Sequence, residues 1–334
     1  MIRSLIILTL VAGLFMGCDI ASHKAGPTPY ALDLPDGFPD MKIPEDNPLT
    51  EEGIELGKRL FFDPILSIDS TISCASCHAP SAAFSDLTAF SKGVAGETDR
   101  NSMPIINAGW MKSFFWDGRV LSLETQAKHP VENKIEMGER WKHVVEKLQA
   151  HPDYPSMFNE AFETTQVTTE LATKAIAQYE RTLISSNSKY DQYRAGLTLL
   201  TEQELLGLDL FFTEKADCFH CHGTRLFTDN RFHNNGLDEF YEDGGLAKIT
   251  KHDSDWGKFK TPTLRNVEIT APYMHDGRFE TLEEVIEFYN SGAQPSPTID
   301  PLIGAGRKLN LTKEEKAALI AFLKTLTDTE FISQ

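Results

Sequence analysis

The sequence predicts an all-α, mostly helical protein built as two tandem units. Three observations carry this. Two stretches echo each other: Leu49-Thr50-Glu51-Glu52 runs through Gly57 to Leu60-Phe61-Phe62, and Leu200-Thr201-Glu202-Gln203 runs through Gly207 to Leu210-Phe211-Phe212. Each echo leads into the same short pattern, Cys74-Ala75-Ser76-Cys77-His78 in the first and Cys218-Phe219-His220-Cys221-His222 in the second. Elsewhere apolar residues recur at helical spacing, and little of the chain alternates with the two-residue period of a strand.

Along the chain, the first segment is a targeting signal. Arg3 supplies the positive start and Leu5 to Phe15 an apolar run too short to cross a membrane comfortably. The run ends Leu14-Phe15-Met16-Gly17-Cys18, which resembles a bacterial lipobox. Residues 1–17 therefore read as a lipoprotein-type signal peptide, with Cys18 as the lipidated first residue of the mature chain; plain cleavage nearby is the alternative. Either way the mature protein lies outside the cytoplasm, in the periplasm or cell envelope, held by a lipid anchor in the first reading. Residues 18–44 carry Pro27, Pro29, Pro35, Pro39 and Pro44 and read as an extended tether. Residues 45–190 and 191–334 form the two units. Each opens with the echoed helix and closes with another: residues 169–184 (Leu171, Ala175, Ile176, Tyr179, Leu183) and 312–326 have the right period. Thr201 with Glu204, and Thr312 with Glu315, form capping boxes. Ile184-Ser185-Ser186-Asn187-Ser188 reads as the hinge between the units.

The Cys-x-x-Cys-His pattern carries chemistry because of its spacing. Two thiols on one tight turn add across the vinyl groups of a heme, and the next residue, a histidine, lies beneath the iron as axial ligand. The two copies use four of the five cysteines. Zinc would call for further Cys or His at finger-like spacing, and structural disulfides would not call for a histidine after each pair. Two covalent c-type hemes follow, with His78 and His222 as proximal ligands. Helix, heme loop, helix is the plan of a small cytochrome c, so the predicted class is two tandem cytochrome c-like heme domains. The formal net charge of −17 argues against nucleic acid as a partner. It suits a basic soluble protein steered by the field, or solubility alone.

Two further motifs extend the pattern. One is Phe115-Trp116-Asp117-Gly118-Arg119, followed by Leu123-Glu124-Thr125-Gln126-Ala127, Pro130 and Glu136-Met137. The other is Thr261-Pro262-Thr263-Leu264-Arg265-Asn266-Val267, running into Ala271-Pro272-Tyr273-Met274-His275-Asp276-Gly277. With these the chain resembles the bacterial diheme cytochrome c peroxidases and their MauG-type relatives, from about residue 45 to 328. The resemblance implies that Gln126 and Glu136 stand over the open face of the N-terminal heme. Glu136 would move a proton during peroxide cleavage, Gln126 would hold peroxide or water, and Pro130 would shape a dry pocket. Without the resemblance, Glu136 is one of 49 acidic residues and reads as solvated surface. Trp116 would lie between the hemes and relay electrons. A calcium ion is also implied, at positions matching Asn101, Thr270 and Pro272, through an Asn side chain and two backbone carbonyls.

The sequence departs from the better-known peroxidases at two places. The loop Phe90 to Arg100 has no histidine to block the first iron. Fourteen residues after His275, where those peroxidases place a ligating Met, stands Tyr289, as in MauG-like proteins. Met274, the alternative sixth ligand and the only Met of the second unit, lies away from that position in sequence. A Met ligand raises heme potential; an anionic phenolate favours the higher oxidation states of iron. Three functions are compatible: a peroxidase drawing electrons from a small donor such as cytochrome c or a cupredoxin to reduce hydrogen peroxide; a MauG-like oxidase using peroxide to oxidise Tyr or Trp of a partner protein; and a diheme electron carrier. Gln126 and Glu136 over an open heme argue against the third.

Overall fold

The computed structural model describes residues 26–304 and 306–333. The expected signal peptide, Cys18 and the start of the expected tether lie outside them. Among the described residues no helix is long and apolar enough to cross a membrane.

Helices dominate, and the only sheets among the described residues are two-residue ladders, Lys92–Gly93 with Gly96–Glu97 and Phe232–His233 with Phe259–Lys260. The echoed helices form as the sequence predicts. In Glu51–Phe62 the Thr50 hydroxyl accepts from Gly53 N at 3.0 Å. In Glu202–Phe211 the Thr201 hydroxyl accepts from Glu204 N while the Glu204 carboxylate reaches back to Thr201 N. Each crosses the closing helix of its unit, Thr169–Thr182 in the first and Lys313–Lys324 in the second.

The repeated glycines explain these crossings. A Cβ on Gly57 would meet the Ala175 carbonyl oxygen at 1.9 Å, and one on Gly207 would meet the Ala318 carbonyl oxygen at 1.9 Å. Both helix pairs touch backbone to backbone, and only glycine lets them. Around the first crossing lies a core of Leu56, Leu60, Val144, Leu148, Tyr154, Phe158 and Ile176; around the second lies Leu210, Phe211, Phe227, Leu319, Phe322 and Leu323. Burying each such side chain contributes about 1.5–3 kcal/mol. Both Phe-Phe pairs pack on aromatic neighbours beside these crossings. Phe61 lies against Phe84 and Tyr179, and Phe211 against Phe227 and Phe322. Phe62 is 40% exposed.

Two connections differ from the expectation. Residues 26–47 have no helix, as a tether should, but they are strapped to the body. Phe38 stacks obliquely on Trp110, the Trp110 indole donates to Pro39 O at 2.6 Å, and Met41 is buried with Trp110 and Leu226. Proline content fixes an extended backbone, but it does not say whether that backbone meets water or protein. The segment 184–188 is likewise no free hinge. Ser185 and Ser188 are buried; the Asp328 carboxylate accepts from Ser186 N and Asn187 N, and Asn107 Oδ1 accepts from Ser185 N. A Ser/Asn run needs partners for its backbone groups, and here the protein supplies them.

Candidate active site

Each Cys-x-x-Cys-His forms one helical turn that puts its two thiols on the same side. In the first, Ser73 caps the turn Cys74–Cys77, and Ser76 Oγ accepts from Ser73 N at 3.0 Å. His78 N donates to Cys74 O, and in the second copy His222 N donates to Cys218 O, both at 3.0 Å. His78 Nδ1 faces Phe84 O at 3.0 Å and His222 Nδ1 faces Phe227 O at 2.8 Å. A carbonyl only accepts, so Nδ1 carries the proton and Nε2 keeps its lone pair for a metal. Phe84 and Phe227, at φ 58° and 51°, take the left-handed backbone that turns these carbonyls inward. Burial lowers the pKa of both histidines and favours the neutral imidazole that an iron needs.

Burial also pushes up all four thiols: Cys77 to about 11, Cys218 and Cys221 to about 12, and Cys74 further. Reactive dithiols have depressed pKa values, so these pairs are poor redox catalysts. None of the four forms a disulfide among the described residues. The donor set fits a c-type heme at each turn. When bound, such hemes supply an iron that exchanges electrons and, where a face is open, takes a peroxide oxygen.

A cavity of about 450 Å³ opens on His78 and gathers the residues expected around the first iron: Trp116, Gln126, Pro130 and Glu136 all line it. Gln126 ends the short helix Leu123–Gln126, and Pro130 sits in the first turn of Lys128–Glu132, where its missing N–H costs no hydrogen bond. Glu136 Oε1 accepts from Asn133 Nδ2 at 2.5 Å. Burial raises its pKa, opposed by nearby Arg119 and by the Asn133 hydrogen bond, so the carboxyl is held above its ordinary range. Gly93 is needed here: a Cβ on it would meet Ile135 O at 2.0 Å, so only glycine lets the 90–100 loop pack on the backbone of residues 135 and 136. Val94 N then donates to Glu136 O at 2.9 Å. A second carboxyl in the wall, Glu180, is buried with Oε2 unpaired and pushed up to about 8 by burial.

Trp116 is 8% exposed and packs with Leu237, Tyr241 and Phe259 of the second unit. Its indole donates to Asn101 O at 2.8 Å, and its ring lies 6.5 Å from that of His275. Beside it Arg100 bonds both Asp117 and Asp243, tying the units together.

In the second unit Tyr289 lies on the helix Leu282–Ser291, with its hydroxyl 3.3 Å from Asn235 Nδ2. Burial pushes the phenol up to about 12, and the charges acting on it include those of Cys218 and Cys221. Met274 Sδ lies 3.5 Å from the same Asn235 nitrogen. The two alternative sixth ligands, remote by motif position, thus converge on one amide.

Asn101 N donates to His275 O, and Asn101 Nδ2 donates to Thr88 O, which leaves Oδ1 without a hydrogen-bond partner among the described residues. The Thr270 and Pro272 carbonyls accept no hydrogen bond there either. Neutral oxygens of this kind fit calcium.

Asn133, Asn235, Arg100 and Lys260 are absent from the sequence reading of the site. Asn133 lay within reach, three residues before Glu136; the others become visible only when distant segments meet.

A family model described as di-haem cytochrome c peroxidase matches residues 51–198. The chain is 37% identical over 292 residues to the methylamine utilization protein MauG of Methylorubrum extorquens, which covers 85% of this chain and 80% of that protein. It is 35% identical over 364 residues to the cytochrome-c peroxidase IdrP1 of Denitromonas iodatirespirans, covering 98% and 94%. A solved structure of a MauG-like protein associated with microbial copper homeostasis matches with a TM-score of 0.86 and 38% identity, covering 91% of this chain and 97% of that one. The chain belongs to the di-haem cytochrome c peroxidase family.

Proposed function

We propose that this protein binds two covalent c-type hemes and reduces hydrogen peroxide to water with electrons from a small donor protein such as a cytochrome c or a cupredoxin. The observation that carries the reading is the cavity at His78, where Glu136, with its raised pKa, stands with Gln126 and Pro130. A carboxylate can take a proton from one peroxide oxygen and return it to the other. Gln126 supplies an amide to orient the bound molecule, and Pro130 shapes the wall beside it. The domain limits of 45–190 and 191–334, and calcium at Asn101, Thr270 and Pro272, belong to the same proposal. So does a lipid at Cys18 in the periplasm; an intact mass showing an unmodified mature N-terminus would remove that part.

A second reading, a MauG-like oxidase acting on Tyr or Trp of a partner protein, is favoured by the placement of Tyr289 near the second attachment turn. The histidine-free loop 90–100 supports it too. Stopped-flow mixing of the diferric protein with peroxide, with and without reduced cytochrome c, tests both. Rapid donor oxidation supports the peroxidase; a long-lived oxidised state indifferent to the donor replaces it with the oxidase. No reaction with peroxide removes both and leaves the electron carrier.

A further inference from the structure

Lys260 belongs to the second unit, but its side chain ends in the first cavity. Its strand pairs with Phe232–His233, and its backbone N–H donates to Trp116 O at 2.9 Å, which carries the residue across the boundary between the units. It is 2% exposed. Its Nζ donates to Ser113 O at 2.8 Å and lies 3.3 Å from Met111 Sδ, both neutral groups. Among the described residues no carboxylate pairs with it, and burial alone brings the amine down to about 8. Beside it the Ser113 hydroxyl is buried without any hydrogen-bond partner.

A buried ammonium with no counter-charge, beside a buried hydroxyl with no partner, is an unstable arrangement. Buried charges are paired, so the arrangement calls for an anion in the cavity that Lys260 lines with His78. A heme brings one. Its two propionates lie on the edge opposite the vinyl carbons that the cysteines hold. The charges felt at Cys74 and Cys77 come from Glu180, Glu136 and Asp86, which places other groups at the thioether edge. The charges felt at Glu136 come from Arg119 and Asp99.

We propose that the Lys260 ammonium and the Ser113 hydroxyl bind a propionate carboxylate of the first heme. This rests on the reading that the first heme occupies the cavity at His78. The second unit then neutralises the cofactor of the first, through a residue whose backbone is bonded to Trp116. The electronic consequence follows from sign: a cation at the heme edge favours the reduced iron, and its removal leaves the propionate to favour the oxidised one.

The test uses the holoprotein with Lys260→Met, Lys260→Arg and Ser113→Ala, and reads each heme potential by spectroelectrochemical titration. Lys260→Met should lower the potential of the first heme and leave the second unmoved, while Lys260→Arg stays near wild type. A potential unmoved in Lys260→Met, or both hemes shifting alike, overturns the proposal. Should Lys260→Met fail to accumulate, resonance Raman of wild type and Ser113→Ala decides. The first heme's propionate bending bands should move in D2O and on loss of the hydroxyl; bands indifferent to both overturn it. The underlying reading fails separately, if wild-type protein extracted with acid and organic solvent carries fewer than two hemes.

Discussion

Glu136 and Asn133 stand on one turn, and the short hydrogen bond between them sets where the carboxyl points as well as how readily it gives up its proton. Replacing Glu136 by Gln keeps the shape and removes the proton-carrying group. Peroxide cleavage should slow by roughly 100-fold or more, the usual scale of general acid–base work, with heme content unchanged; stopped-flow rates at saturating peroxide check it. Rates that stay high would move the role to the second buried carboxyl, Glu180. At the other attachment turn, Tyr289→Phe removes one of the two groups that converge on Asn235. If the phenolate is the sixth ligand, the second heme should turn high-spin in the diferric protein. A His/Met near-infrared band that survives in Tyr289→Phe and disappears in Met274→Ala would assign the ligand to Met274 instead.

Between residues and the whole lie the helix crossings and the ties on the loops. Gly207→Ala puts a methyl where Ala318 O already stands, so the helices must part. We expect a cost of about 1–3 kcal/mol, the range for overpacking a close contact, read as a lower denaturant midpoint, and the same for Gly57→Ala. A midpoint unchanged in both would mean that the crossings are looser than drawn. The ladder Phe232–His233 is fastened through His233, whose Nδ1 faces Asp300 at 2.6 Å and whose Nε2 faces Asp229 at 2.9 Å. Both ring nitrogens donate, so the charged ring is favoured, and the Asp229 hydrogen bond leads in raising its pKa. A raised histidine contributes stability that is fully present below its unfolded value of about 6.5 and is lost as pH rises through the folded value. Asp229, lowered in turn through its bond to His233, contributes above its unfolded value of about 3.9 and loses that as pH falls. The stability gap between wild type and His233→Gln should therefore be widest between these limits and shrink on the alkaline side. A gap that grows as pH rises above about 6.5 would reject the charged form.

For the whole molecule, the question is what holds the two units in register around Trp116. Arg100 is partly buried between them, bonded to Asp117 at 2.7 Å and to Asp243 at 2.6 Å, and the pairing keeps Asp243 well below the usual carboxylate range despite its partial burial. Removing one partner of such a group leaves the others uncompensated, so Arg100→Gln should cost about 3–5 kcal/mol. Peroxide-driven electron exchange between the hemes should slow with it. Thermal unfolding and heme-to-heme transfer rates in the same variant check this, and an unaltered transfer rate would show that the clamp is structural only.

What the sequence determined by itself is what short spacing encodes. Two thiols and a histidine on one turn, Thr201 with Glu204 at a helix start, and the echoed Gly57 and Gly207 are all read within a dozen residues, because a helical turn fixes their geometry locally. Gln126 and Glu136 needed the family resemblance, since a lone acidic residue has no local mark that separates a cavity wall from a solvated face. The tertiary structure alone decided the rest. It strapped residues 26–47 to the body, tied down the 184–188 connection, and brought Met274 to the same amide as Tyr289. It also set Arg100 against Asp243, 143 residues away, and carried Lys260 from the second unit into the cavity of the first. Such pairings have no sequence period. They are chosen by which buried polar group must find a partner once the cores have closed, and that is known only when distant segments meet.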